Sequence, residues 1–249
     1  MDRMIFTAMN GAKQTFDQQA VASHNLANVS TPGFRAQLTV MQSVQVDGDG
    51  LKTRDLPLAS TMGSDFKTGP IMTTDRTLDV ALKNGDGWIA VQQPDGSEAY
   101  TRRGDMQMDR NGALTISGNP VMGENGPISI PVDSDISIGA NGAISVIEAG
   151  MRPDTISEVA RIKVVNSNGV QMERQENGLF LPPEGEGERT LQADENAQVV
   201  GGALEGSNMS PTEAMVAMIN TQRRYEMQMK VISSADANDQ AANKLLSMS

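Results

Sequence analysis

Residues able to carry out chemistry are few in this sequence. It contains one histidine, His24, and no cysteine, so His24 has no companion nitrogen or sulfur ligand for a transition metal. The run Asp47-Gly48-Asp49-Gly50 begins like a calcium-binding loop, but Leu51 stands where the fifth position needs an oxygen ligand, and no glutamate closes the loop. We therefore expect no metal site and interpret 47–50 as a mobile acidic turn.

Motifs of common enzymes are also missing. The sequence has no Gly-x-Ser-x-Gly, no phosphate-binding loop and no dinucleotide-binding glycine pattern. Acidic residues are numerous, so a glycosidase with two carboxylates stays open as an alternative. Such enzymes usually bind sugars on aromatic side chains, whereas Trp88, Tyr100 and Tyr225 are the only Trp and Tyr residues here. We expect no catalytic residues and no cofactor.

The clearest pattern is a helical heptad repeat at each end, over roughly residues 3–29 and 211–247. The C-terminal helix has a favourable start, because Ser210-Pro211-Thr212-Glu213 combines a capping hydroxyl, a proline at the first helical position and a glutamate three residues after the cap. Several positions of its heptad seam are polar, which makes the helix weak alone. The seam runs through Met215, Met218, Gln222, Tyr225, Met229, Ile232, Asp236, Asp239, Asn243 and Leu246.

The N-terminal seam has the same period but mostly small residues: Ile5, Ala8, Ala12, Thr15, Gln19, Ala22, Leu26 and Val29. Small side chains let helices approach closely but bury little apolar area, and at ~25 cal/mol per Å² such a stripe does not stabilise a two-helix hairpin. We infer that both ends become ordered mainly in an assembly. An ordinary pair of helices closing a globular domain is the alternative.

The middle of the chain is acidic and rich in turns. Of the net charge of −11, about −12 lies between residues 36 and 209, and the absence of clustered Lys and Arg argues against a nucleic-acid partner. Asn-Gly pairs at 111–112, 125–126, 141–142, 168–169 and 177–178 separate short apolar runs, as in β-hairpins. The predicted strands are 88–91, 106–108, 114–116, 128–130, 136–138, 144–146, 162–165 and 179–181.

These patterns predict a mixed α and β fold, with long terminal helices that form an assembly coiled coil and a central, mainly antiparallel β domain. The predicted divisions are an N-terminal core helix (1–35), an extended or partly strand-like linker (36–74), the β domain (75–200), a connecting segment (201–209) and a C-terminal core helix (210–249). No segment resembles a cleaved signal peptide or a membrane span, so the sequence by itself favours the cytoplasm.

Two strings at opposite ends carry a family resemblance. Residues 23–34, SHNLANVSTPGF, end a helix in Asn-Leu-Ala-Asn and continue into Thr-Pro-Gly and an aromatic residue. Residues 202–208, GALEGSN, precede a helix containing EAM at 213–215, MI at 218–219 and QRRYE at 222–226. Together with DGSEAYTR at 95–102, they resemble the bacterial flagellar rod and hook family, and most of all its proximal rod members.

The resemblance implies a structural subunit of the proximal rod, which transmits motor torque across the periplasm; a distal rod or hook paralogue is the alternative. It also implies export without a cleaved signal peptide through the flagellar type III apparatus, and assembly with other copies and neighbouring rod proteins. We expect neither nucleic-acid binding nor membrane insertion. The predicted assembly interface comprises Ile5, Ala8, Ala12, Asn25, Leu26, Asn28, Pro32, Gly33, Phe34, Met215, Met218, Ile219, Gln222, Arg223, Tyr225, Glu226, Met229, Ile232 and Leu246.

Overall fold

A computed structural model describes residues 2–45, 55–147, 156–183 and 190–247. The acidic turn predicted at 47–50 lies outside them. The described residues form two helices, α1 (Asp2–Ala27) and α2 (Pro211–Ser247). They also form nineteen strands: β1 (Gln37–Gln45), β2 (Asp55–Ser64), β3 (Ile71–Thr73), β4 (Val80–Leu82), β5 (Gly87–Gln92), β6 (Glu98–Thr101), β7 (Gln107–Met108), β8 (Leu114–Ile116), β9 (Asn119–Pro120), β10 (Met122–Gly123), β11 (Gly126–Pro127), β12 (Asp135–Ile138), β13 (Ala143–Ile147), β14 (Ser157–Arg161), β15 (Val164–Asn166), β16 (Glu173–Arg174), β17 (Phe180–Leu181), β18 (Val199–Gly201) and β19 (Ala203–Glu205).

The chain divides into two compact units, and neither is continuous in sequence. The helical unit comprises Met1–Val29, Gln37–Gly63 and Met209–Ser249. In it, α1 packs against α2 and also contacts β1, which pairs with β2. Ser210 starts α2 as predicted, because its carbonyl accepts a hydrogen bond from Ala214 N at 3.0 Å and Glu213 lies in the first turn.

The β unit comprises Ser30–Ala36 and Ser64–Asn208. Its largest sheet has the strand order β15-β5-β6-β17-β16, and the smaller sheets are β12-β13-β14, β7-β8-β9, β10-β11, β18-β4 and β19-β3. All of these pairings are antiparallel. The two terminal helices and the central antiparallel β region confirm the predicted fold class.

Two apolar clusters form the interior of the β unit. The larger cluster contains Ile89, Val91, Leu114, Ile116 and Ile144 among its fully buried side chains. The smaller one is aromatic: the rings of Trp88 and Phe180 lie 4.7 Å apart, and Phe66 contacts both edge-on. Because both clusters remove large apolar areas from water, they stabilise the β unit.

Short strands follow the predicted turns in most places. Gly112 has φ +82°, and a Cβ there would lie 2.0 Å from the carbonyl oxygen of Ile130, so only glycine fits this turn. The predicted strand at 128–130 differs: its isoleucines are buried, but the segment has only an isolated bridge between Ser129 and Ala113. Prolines at 127 and 131 flank it and lack the N–H that a longer ladder needs.

The region predicted as a linker, 36–74, contains the two longest strands of the chain, β1 and β2, as well as β3. The alternation of Leu38, Val40 and Val44 with polar residues is a strand pattern that the neighbouring Gly and Ser residues weakened. These three side chains are exposed on β1.

Candidate assembly surface and connecting segments

Mostly small side chains occupy the buried stripe of each helix, with Gln14 and Asn25 as the larger buried residues of α1. On α1, the residues Ala8, Gly11, Ala12 and Thr15 are buried, and on α2 the buried residues are Ala214, Thr221 and Ala235. The approach is close: a Cβ on Gly11 would lie 3.0 Å from Nε2 of Gln228. The hydroxyls of Thr15 and Thr221 donate to the carbonyls of Gly11 and Ala217, at 2.7 and 2.8 Å, so they are satisfied within their own helices.

Large apolar side chains of the same helices are exposed instead. On α1, Phe6 is 64% exposed and Phe16 is 62% exposed, with Met9 between them. Phe6, Met9 and Phe16 follow heptad spacing one residue after the predicted seam. The exposed apolar residues of α2 are Met215, Val216, Ile219, Met227, Met229, Val231 and Leu245. Burying small residues while exposing large ones is the reverse of what a self-sufficient helical pair needs.

The predicted interface residues fall into three groups. Those exposed on α2 are Met215, Ile219, Gln222, Arg223, Tyr225, Glu226 and Met229; those of intermediate exposure are Ile5, Leu26, Asn28, Pro32, Met218 and Ile232. Ala8, Ala12, Asn25, Gly33 and Phe34 are buried by this chain itself. Leu246 lies in α2, and its side chain is outside the described part.

Asn25 is buried, and its side chain forms two hydrogen bonds with the first residue of β1. Its Nδ2 donates to the carbonyl of Gln37 at 3.0 Å, and Gln37 N donates to its Oδ1 at 2.9 Å. The side-chain amide therefore pairs with one backbone residue as a neighbouring strand does. Asn28 serves the helix end instead, since its Nδ2 donates to the carbonyl of His24 at 2.9 Å.

The residues after Val29 belong to the β unit and form the N-terminal connecting segment, Ser30–Ala36. Gly33 has φ +65°, and a Cβ there would lie 2.4 Å from the backbone carbon of Arg102, so glycine is required. The guanidinium of Arg174 lies 4.7 Å over the Phe34 ring, and its Nη1 donates to the carbonyl of Arg35 at 3.1 Å. Burial lowers the pKa of Arg174.

The C-terminal connecting segment, residues 203–208, lies directly against the N-terminal one. Gly33 N donates to the carbonyl of Glu205 at 2.7 Å, and Asn208 N donates to that of Phe34 at 3.3 Å. The Asn208 side chain closes the arrangement: its Oδ1 accepts from Ala36 N at 2.8 Å, while its Nδ2 donates to the carbonyls of Asp65 and Lys67.

A buried ionic cluster links the two connecting segments to the rest of the β unit. Oε2 of Glu205 accepts from Nε and Nη2 of Arg102 at 2.9 and 2.6 Å, and Oε1 accepts from Gly69 N at 2.9 Å. Nη2 of Arg35 lies 2.7 Å from the same Oε1, and the three side chains are at most 1% exposed. Nη1 of Arg102 donates to the carbonyls of Asn84 and Gly87.

Burial lowers the pKa of Arg102, and the positive charge of Arg35 lowers it further, whereas Glu205 acts in the opposite direction. Two buried cations thus depend on one carboxylate. Arg35, Arg102, Glu205 and Asn208 were not predicted to make structural contacts. The last three nevertheless lie within the strings that carry the family resemblance. The available signal was a charged residue next to a glycine, as in Leu204-Glu205-Gly206.

Other site classes have little support in the described residues. No group of three or more His, Asp or Glu side chains there is arranged to hold a metal ion. His24 is exposed, and its Nε2 lies 3.4 Å from Nδ2 of Asn28. Over its described residues, neither α1 nor α2 has the length and hydropathy that crossing a membrane requires.

Three protein-family models match consecutive parts of the chain. The model described as "Flagella basal body rod protein" matches residues 5–35, "Flagellar hook protein FlgE/F/G D1 domain" matches 83–146, and "Flagellar basal body rod FlgEFG protein C-terminal" matches 200–245. The first match includes residues 30–35 of the N-terminal connecting segment, and the third includes all of the C-terminal one.

Curated relatives extend this similarity over the whole chain. The sequence is 52% identical to the flagellar basal-body rod protein FlgF of Salmonella typhimurium and 51% identical to that of Escherichia coli, with all of both chains covered in each case. It is 35% identical to the flagellar basal-body rod protein FlgG of Buchnera aphidicola, over 90% of this chain and 92% of the relative. The chain therefore belongs to the family of flagellar basal-body rod proteins, within which it is FlgF-like and a structural subunit of the rod.

Proposed function

We propose that this subunit polymerises through its terminal helices into the proximal part of the rod, which transmits motor torque. The observation that carries the proposal is the exposed apolar surface of α1 and α2. Phe6, Met9 and Phe16 on one helix, and Val216 and Met227 on the other, are large side chains that contact water. Covering them with other helices would add the apolar burial that the small stripe between α1 and α2 lacks.

The kind of contact follows from the two exposed surfaces being different. The α1 surface carries two phenylalanines, whereas the α2 surface carries mainly methionine and β-branched residues, with Tyr225 as its aromatic side chain. A contact between unlike surfaces of successive copies is heterologous and continues as an open helical polymer, while a two-fold dimer pairs like with like. Flexible Met215, Met227 and Met229 suit neighbours that are related but not identical.

The predicted interface residues enter this proposal in two roles. The exposed and half-exposed ones, such as Ile219, Tyr225 and Ile232, are proposed to contact neighbouring subunits. The buried ones, such as Asn25, Gly33 and Phe34, are proposed to hold the chain in the shape that assembles. We retain the divisions 1–35, 36–74, 75–200, 201–209 and 210–249 as a proposal for the assembled subunit, alongside the two compact units.

Location and partners follow from family membership in their general form, since the rod is part of the basal body. We further propose that the rod built from this subunit crosses the periplasm. The subunit would contact other copies and neighbouring rod proteins, and the type III export apparatus would carry it without a cleaved signal peptide. We propose neither catalytic activity nor nucleic-acid binding, in keeping with the structural role of its relatives and the acidic middle of the chain.

The test replaces one exposed apolar residue on each helix. Phe16→Ser and Met227→Ser should each remove about 2 kcal/mol of contact energy, as expected for a central interface residue. In cells lacking the native gene, we expect a more than tenfold loss of complete rods in isolated basal bodies and a matching loss of motility. Purified monomers should keep their stability, because both side chains are already exposed.

Matched controls are available on each helix. Asp17→Ser and Asn238→Ser introduce the same side chain at exposed positions without removing apolar area. Rod numbers should then equal those of the unmodified chain. Normal rod assembly in the Phe16→Ser and Met227→Ser variants would contradict polymerisation through these surfaces.

A further inference from the structure

The two connecting segments are held by each other as well as by the rest of the β unit. Three hydrogen bonds join them directly: Gly33 N to the Glu205 carbonyl, Asn208 N to the Phe34 carbonyl, and Ala36 N to Oδ1 of Asn208. Each segment therefore supplies acceptors for the backbone of the other. Loss of either one leaves buried N–H groups without partners.

Glu205 adds an electrostatic dependence to this backbone pairing. It belongs to the C-terminal segment, whereas Arg35 belongs to the N-terminal segment and Arg102 follows β6. None of the Arg35 side-chain nitrogens makes a hydrogen bond to a described residue, so the ion pair between Nη2 and Glu205 is the principal polar contact of this guanidinium. Without that carboxylate, Arg35 and Arg102 would be two like charges in a buried site.

We propose that Glu205 couples the docking of the two connecting segments, so that each is held in the β unit only while the other is in place. Glu205 is a positioning residue in this mechanism. The proposal concerns the isolated subunit and does not depend on how copies assemble. Thermodynamic coupling is reciprocal, so loosening either segment must loosen the other by the same factor.

An independent attachment of the N-terminal segment competes with this coupling. Phe34 packs under Arg174, and Arg174 donates to the Arg35 carbonyl, and neither contact involves residues 203–208. If these contacts were sufficient, residues 33–36 would stay docked after Glu205 lost its charge. The two possibilities therefore predict different behaviour of the same backbone amides.

Hydrogen exchange on the full-length monomer distinguishes them. Glu205→Gln keeps the size of the side chain but removes the charge. We expect exchange at the Gly33 and Ala36 amides to accelerate at least tenfold, while the amides of Leu114 and Ile130, which bond within the β unit, keep their protection. Unchanged exchange at Gly33 and Ala36 would overturn the proposal.

Glu98→Gln is the matched control, because Glu98 is a largely buried carboxylate of the same unit that pairs with Lys163 at 2.8 Å and has no bond to either segment. It should leave Gly33 and Ala36 protected. Equal acceleration in both variants would mean general destabilisation and would also overturn the proposal.

Arg35→Met tests the reciprocal effect and covers the case in which Glu205→Gln unfolds the unit. It removes one cation and leaves Glu205 paired with Arg102. Coupling predicts faster exchange at Gly206, whose amide donates to Pro70 O at 2.7 Å, and at Asn208. Faster exchange confined to residues 33–36 would show that the segments dock independently.

Discussion

The helical unit and the β unit bury different kinds of side chain. In the β unit, large side chains such as Ile89 and Leu114 are fully buried, and the single tryptophan lies inside an aromatic cluster. In the helical unit, alanine and threonine are buried while Phe6 and Phe16 are exposed. Under the proposed function, the β unit is complete within one chain, whereas neighbouring chains cover the apolar surface of the helical unit.

The largest effect should follow from a substitution in the buried core of the β unit. Leu114→Ala removes a fully buried side chain of the larger cluster and should lower the free energy of unfolding of the β unit by about 3 kcal/mol. Urea denaturation followed by fluorescence reports on this unit alone, because Trp88 is the only tryptophan.

Val132→Ala serves as the control, since Val132 is an exposed apolar residue of the same unit. Its cost should stay within about 0.5 kcal/mol. A similar cost for both variants would show that burial in this unit does not determine its stability.

An intermediate effect should distinguish the two asparagines of the Asn-Leu-Ala-Asn string. Asn25→Ala leaves the N–H and carbonyl of Gln37 without their buried partner, at a cost of about 1–3 kcal/mol. Asn28→Ala removes an exposed hydrogen bond that water replaces, so it should cost less. Hydrogen exchange at Gln37 measures the difference, and equal exchange in the two variants would contradict the assigned roles.

The smallest effect should come from the narrow contact between the helices. Gly11→Ala gains helix propensity worth up to about 1 kcal/mol, and its new Cβ meets only the mobile end of Gln228. We expect slightly greater thermal stability of the helical signal in circular dichroism. Repeating the substitution in a Gln228→Ala background removes the steric contact with Gln228. If Gly11→Ala destabilises the helices only when Gln228 is present, the Gln228 side chain cannot move aside.

The extent to which the sequence predicted this molecule differs between the same two regions. Helix limits were predictable because capping signals such as Ser210-Pro211 act locally. The helical contact face was harder, because Met218 and Ile232 fit either of two adjacent heptad seams. In the structure, α2 buries Ala214, Thr221 and Ala235, each one residue before a predicted seam position.

The connecting segments were the least predictable feature. The strings that contain Gly33, Phe34 and Glu205 stood out, but their proximity to one another depends on hydrogen bonds across a sequence separation as long as the 172 positions from Ala36 to Asn208. No periodicity reports such a contact. Residue type alone does not distinguish a buried arginine from an exposed one, so the sequence did not indicate that Arg35 and Arg102 are buried.

The discontinuous β unit also sets an order of events for the growing chain. When a polypeptide emerges with its N-terminus first, the site for Arg35 and Arg102 stays without a carboxylate until residue 205 has appeared. Contacts between such distant residues form slowly. The unit therefore completes its folding only after residue 205 has emerged.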